Sequence, residues 1–199
     1  MPIEQHENYE TTADALLAVE TPSQTGALWL ALLVVLFWLS ILGHEGAHFG
    51  VGALVYTPEE LRSGVLRAGS QLLAVGAGPV FTILLLGGSV LGVRSSRSRS
   101  SKLVWSSLVA SAASRIAIVG PGTLLGTAVN DERTVGRIIG WPPSLLWSGE
   151  AVVATLGVLY VLRAWPRGMR QRVAQWLVVT IVIGWVTTLV IGPLLGLPI

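Results

Sequence analysis

The sequence predicts an all-α fold, a polytopic membrane helical bundle of about five transmembrane helices, and three observations carry that prediction. The 199 residues are 52% hydrophobic with only 12% charged, about half the charged share of a soluble domain, and their mean hydropathy is +0.67. Five apolar stretches reach the ~20 residues that cross a hydrocarbon core. The charged residues between them gather in short connectors. Residues 1–25 are expected to form an acidic N-terminal tail and residues 26–199 a single transmembrane domain. The lipid bilayer is thus the first expected partner. With no cysteine in the chain, disulfides and thiolate metal sites are excluded, so any metal must be held by histidine and carboxylate. The net charge of +2 is small and its basic residues sit at loop positions, which points to membrane topology and away from nucleic acid.

The tail carries Glu4, Glu7, Glu10, Asp14 and Glu20 without a basic residue, unlike the basic start of a signal peptide. His6 there reads as a solvated, unimportant histidine. Gly26 to Tyr56 is the first span, apolar except for the stretch His44-Glu45-Gly46-Ala47-His48 in its C-terminal half. Thr57-Pro58-Glu59-Glu60 then reads as a helix start with acids in the first turn, giving a short interfacial helix or loop. Leu72 to Val93 is the second span, with Ala77-Gly78-Pro79 suited to close approach of backbones. A basic loop, RSSRSRSSK, leads to the third span, Leu103 to about Ala128. This span is rich in serine and alanine, carries Arg115, and is expected to kink or end near Gly120-Pro121-Gly122.

A polar connector, Asn130-Asp131-Glu132-Arg133, precedes an amphipathic turn to Gly140, and Pro142-Pro143 marks the next helix start. Ser144 to Trp165 is the fourth span, with Glu150 inside it as an expected ion-pair partner for Arg115. After a second basic loop, Val173 to about Leu195 is the fifth. The two loops contain Arg94, Arg97, Arg99, Lys102, Arg163, Arg167, Arg170 and Arg172, eight of the thirteen basic residues. Parity over the spans puts both loops on one side, cytoplasmic by the positive-inside rule. The motif and Asp131 then share the opposite end. The eight tryptophans read as interface anchors and packing.

Two histidines four residues apart lie on one helix face, about 5.4 Å apart along the axis, a spacing that suits two ligands of one tetrahedral zinc. His44 and His48 are therefore candidate metal ligands. Glu45, beside the metal without binding it, is the candidate general base for a metal-bound water. Only three histidines occur in the chain, and ionisable groups inside a span are costly unless they serve a function. A catalytic zinc keeps three protein ligands and one open position. Asp131 is the preferred third ligand, with Asn130 placed to hydrogen-bond a substrate or the ligating carboxylate. Glu132 and Glu150 remain open as alternatives.

HEGAH in an apolar helix, AGPVFT early in the next span, and an Asn-Asp pair followed by Gly-Trp-Pro and a tryptophan-containing helix resemble the site-2 protease family of intramembrane zinc metalloproteases over roughly residues 30–165. The resemblance implies one Zn2+ per chain held by His44, His48 and Asp131, with Glu45 as base. It also implies cleavage of a peptide bond within or near the membrane segment of a transmembrane protein substrate, in an integral, multi-pass protein expected in a prokaryotic cell membrane. The family often shows Gly-Pro-x-x-Asn after the motif helix. Here the last position is Thr82, so a hydrogen bond from it to a substrate backbone would come from a hydroxyl. The competing readings are a non-hydrolytic metal-binding membrane protein, transporter or scaffold, and an inactive protease-like protein that binds partners.

Overall fold

The structure, a computed structural model, describes residues 24–125 and 130–194. Residues 1–23 of the expected acidic tail, with His6, and the extreme ends of the third and fifth expected spans lie outside these residues, while residues 24 and 25 belong to the first helix. The described residues form seven α-helices and no strand: α1 (Gln24–Val55), α2 (Pro58–Ser63), α3 (Ala68–Ser95), α4 (Arg99–Leu125), α5 (Asp131–Ile139), α6 (Pro143–Ala164) and α7 (Arg170–Leu194), with a 3-10 turn at Arg167–Met169. Four of them are long and apolar enough to cross a membrane, over Leu28–Val55, Ala68–Ser95, Arg99–Pro121 and Pro143–Ala164. The fifth expected span is helical as α7.

Helix α4 is the centre of the bundle, packing against α1, α3, α6 and α7. Over its apolar window 56% is buried, against 22–28% for the other three candidate spans. Its inward face is built from small polar residues. Ser106, Ser107 and Ser111 are buried, and their hydroxyls donate to the carbonyls of Lys102, Leu103 and Ser107 at 2.7–2.9 Å. Their polarity is thus satisfied within the helix while neighbouring backbones pack close. Many bulky residues of the surrounding helices face outward. Leu28, Phe49, Leu54 and Leu84 are 68–86% exposed, an outer surface suited to lipid tails. This apolar exterior and the four long helices are compatible with an integral membrane protein.

Short elements set the relative positions of the long ones. Thr57 caps α2 through a capping box with Glu60, and Gly64 ends it at φ 69°. Glu60 is buried and accepts from the Arg67 backbone N–H at 2.8 Å and from its guanidinium at 3.1 Å. This clamp turns the chain sharply from α1 into α3, so the two run antiparallel with the motif against the start of α3. At the same end, the Asn130 side chain caps α5 by accepting from Arg133 N–H at 3.0 Å, and Gly140 closes it at φ 76°. Asp131 therefore becomes the first residue of a short helix folded against α3 and α6.

Helices α3 and α4 each contain an internal proline, Pro79 and Pro121. Proline removes a ladder donor and tilts the carbonyls of the preceding turn outward. In both helices the carbonyl five residues earlier is taken up by another helix. His48 Nδ1 donates to Ala74 O, and Trp147 Nε1 donates to Ile116 O, each at 2.8 Å. Pro121 thus lies inside α4 and does not end it.

Candidate metal centre

The inward stripe of α1 runs through Leu33, Phe37, Ser40 and His44, so the buried position of His44 follows from helical periodicity. His48 follows one turn later. Across the α1–α3 seam, Ala74, Gly78 and Thr82 recur every four residues on the buried face of α3. They meet the two imidazoles directly. Asp131 reaches the same point from the start of α5.

Three acceptor atoms converge there. His44 Nε2 and Asp131 Oδ2 are 2.8 Å apart, His48 Nε2 and Asp131 Oδ2 3.1 Å, and the two Nε2 atoms 3.0 Å. A tetrahedral ion with bonds of ~2.0 Å requires ligand–ligand edges of about 3.3 Å, so the triangle is close to the face of such a polyhedron. These three residues form the one group of candidate metal-binding side chains among the described residues.

The far side of each ring fixes its tautomer. His48 Nδ1 can only donate to the Ala74 carbonyl, at 2.8 Å. The Thr82 oxygen lies 2.9 Å from His44 Nδ1 and 3.3 Å from Gly78 O, and it accepts from the ring when the hydroxyl proton goes to the carbonyl. Both neutral imidazoles therefore carry their proton on Nδ1 and turn an Nε2 lone pair to the centre, the arrangement that orients metal-ligating histidines. Thr82 thus contacts His44.

Gly78 keeps the centre open. A Cβ added to it would lie closer to His44 Nε2 and His48 Nε2 than any van der Waals contact allows, and 2.5 Å from His44 Cε1. Any side chain at this position would fill the space towards which both lone pairs point. The close approach of α3 to α1 suggested by Gly78-Pro79 is therefore part of the site itself.

No family model, curated protein or solved structure matches this chain. The resemblance to site-2 proteases rests on the motif residues alone, and the chemistry must be argued from the side chains.

Arg115 of α4 completes the surroundings. Its Nη2 donates to Asp131 Oδ2 at 2.9 Å and lies 2.5 Å from His44 Nε2, while Nη1 stands 4.0 Å from Glu132 Oε1. The expected Arg115–Glu150 ion pair is not formed. Because α5 folds back against the bundle, Asp131 reaches the guanidinium first, and Glu150 Oε2 is buried without a hydrogen bond. Glu150 nevertheless lies within charge-interaction range of Glu132, Arg115 and Asp131. Glu132 is 1% exposed, and its carboxyl lies within hydrogen-bond reach of that of Glu150.

Arg115 thus stands among three acidic side chains, of which Glu132 and Glu150 lie close enough to share a proton. Donor atoms, ring orientation and space fit a metal ion. Glu132 and Glu150, the alternative third ligands, lie outside the triangle.

Glu45 is exposed, about 100° around the helix from His44, and near enough to His48 for their charges to interact. It takes no part in the buried network. Asn130, expected to face a substrate or the ligating carboxylate, is used instead as the cap of α5, and its Nδ2 bonds Thr123 Oγ1. Sequence reasoning missed the Ala74 carbonyl, the Thr82 contact and the Arg115–Asp131 pair. The four-residue recurrence of small residues at 74, 78 and 82 was the one available signal.

Proposed function

We propose that this chain is an intramembrane zinc metalloprotease, embedded in the bilayer as a bundle of five spans, that hydrolyses peptide bonds within or near transmembrane segments of other membrane proteins. The observation that carries the reading is the convergence of His44 Nε2, His48 Nε2 and Asp131 Oδ2 within 3.1 Å of one another, next to a glutamate that is not one of the ligands.

A bound zinc would supply a Lewis-acid position at which water becomes acidic enough to attack a carbonyl at neutral pH. His44, His48 and Asp131 would hold it. Thr82 and the Ala74 carbonyl keep the imidazoles in the ligating tautomer, and Arg115 keeps the Asp131 carboxylate directed at the centre. Glu45, free of structural partners and exposed, takes the proton of the attacking water at its carboxylate and returns it to the leaving amine. A peptide bond in a substrate helix is already hydrogen-bonded, so the substrate must unwind locally before attack, which favours substrates with helix-weakening residues.

The exposure of Glu45 supports one competing reading, a structural or transported metal ion held without hydrolysis. Purified protein separates the two. Stoichiometric zinc together with cleavage of a reconstituted transmembrane substrate that Glu45→Gln abolishes supports the protease. Zinc with cleavage indifferent to Glu45, or with no cleavage of any transmembrane substrate tried, removes it.

A further inference from the structure

The end of the bundle opposite the metal centre carries a concentration of positive charge that the proposed reaction does not use. Beside the α3–α4 and α6–α7 loops, Lys102 Nζ in the first turn of α4 donates to Ala164 O at the end of α6 at 2.9 Å and lies 5.5 Å from the Trp165 ring centre, which holds the two connections side by side. Arg170 folds back onto the second loop, donating to Trp165 O at 3.1 Å and Arg163 O at 3.2 Å. Trp165 itself is buried and donates to Ser106 Oγ at 3.2 Å. The loops therefore form one fixed surface.

Around it Arg94, Arg97, Arg163, Arg167 and Arg172 are exposed, and neither loop contains an acidic residue. The local preference is also broken. Helices α4 and α7 begin at Arg99 and Arg170 with no acid in the first turn, so each places cations at the positive end of its own dipole, where anions are favoured. Topology accounts for basic residues on one side of a membrane. It does not call for two loops locked together with their cations at two helix starts.

We infer that this face binds the phosphate headgroups of anionic lipids. The inference rests on the membrane-spanning reading, since only then does the face lie at headgroup level, where each basic residue adds attraction for anionic lipid. It is independent of the metal centre.

The test compares the thermal unfolding of purified full-length protein in phosphatidylcholine vesicles with that in vesicles containing about 30 mol% phosphatidylglycerol. The anionic vesicles should raise the midpoint by several degrees, and added salt should shrink the rise by screening. A variant with Arg97, Arg163, Arg167 and Arg172 all changed to Gln should lose at least about half of the rise while unfolding normally in phosphatidylcholine. The salt dependence of the unaltered protein supplies the same information without a variant. No rise, or a rise that the variant and salt leave intact, would overturn the inference. So would a rise that inorganic phosphate reproduces in phosphatidylcholine alone. Failure of the protein to enter vesicles of either composition would instead sink the membrane reading on which the inference stands.

Discussion

His44 Nε2 and Asp131 Oδ2 stand 2.8 Å apart across 87 residues of chain, brought together by two separate structural devices, the α1–α3 turn clamped by Glu60 and Arg67 and the Asn130 cap that starts α5. Purified protein should carry one equivalent of zinc, and His48→Ala and Asp131→Ala should each lose it. Glu132→Gln and Glu150→Gln should retain most of it, because those carboxylates lie outside the triangle. Metal analysis by mass spectrometry checks this. Retention in Asp131→Ala with loss in either glutamine variant would reassign the third ligand.

Gly78→Ala should prevent zinc binding as completely as removing a histidine, because its methyl would stand between the two Nε2 atoms. Gly87→Ala, on the same helix with open space around its position, should leave metal content unchanged. Equal behaviour of the two variants would show that the backbone of α3 does not line the site.

Thr82→Val keeps the side chain's shape but removes the acceptor for His44 Nδ1, which frees the ring to adopt the wrong tautomer or rotate. Zinc affinity measured by competition with a chelator should fall about 10- to 100-fold, the usual effect of losing an outer-shell partner. Thr82→Ser should restore most of it.

Glu45→Gln should bind zinc like the unaltered protein and lose about 100- to 10,000-fold in cleavage rate, the span of a lost general acid–base. A single-turnover assay on a reconstituted transmembrane substrate, read alongside metal content, separates loss of chemistry from loss of the site.

Glu60 should make the fold sensitive to acid. Its hydrogen bonds from the Arg67 side chain, the Thr57 and Arg67 backbones and the Thr57 hydroxyl hold its carboxyl well below the usual carboxylate range. A carboxylate whose folded pKa is lowered adds stability that is fully present above its unfolded pKa and disappears as pH falls through the folded value. Glu60→Gln should therefore lower the unfolding midpoint by a constant amount at neutral pH, and the gap to the unaltered protein should close below about pH 4. A gap that persists unchanged into strong acid would assign the effect to packing.

Much of this arrangement was legible locally. The apolar runs became helices because hydrophobic length and proline or glycine boundaries act within a few residues, and Thr57-Pro58-Glu59-Glu60 formed the capping box it spelled out. His44 and His48 shared a face because they are one turn apart. Arg115 was misassigned because its partner depends on which carboxylate the fold delivers first. Asn130 was read as chemistry when its neighbourhood needed a helix cap.

The sequence by itself determined an all-helical chain with several membrane-length helices, the two-histidine face, and the gathering of basic residues in two loops, since each of these follows from spacing along one helix or one connector. Only the tertiary structure decided that Asp131 and not Glu132 or Glu150 meets the histidines, that Gly78, Thr82 and the Ala74 carbonyl shape and orient the centre, and that Arg115 pairs with Asp131. Those contacts join separate helices, and no local periodicity encodes which residues of one helix will face a given residue of another.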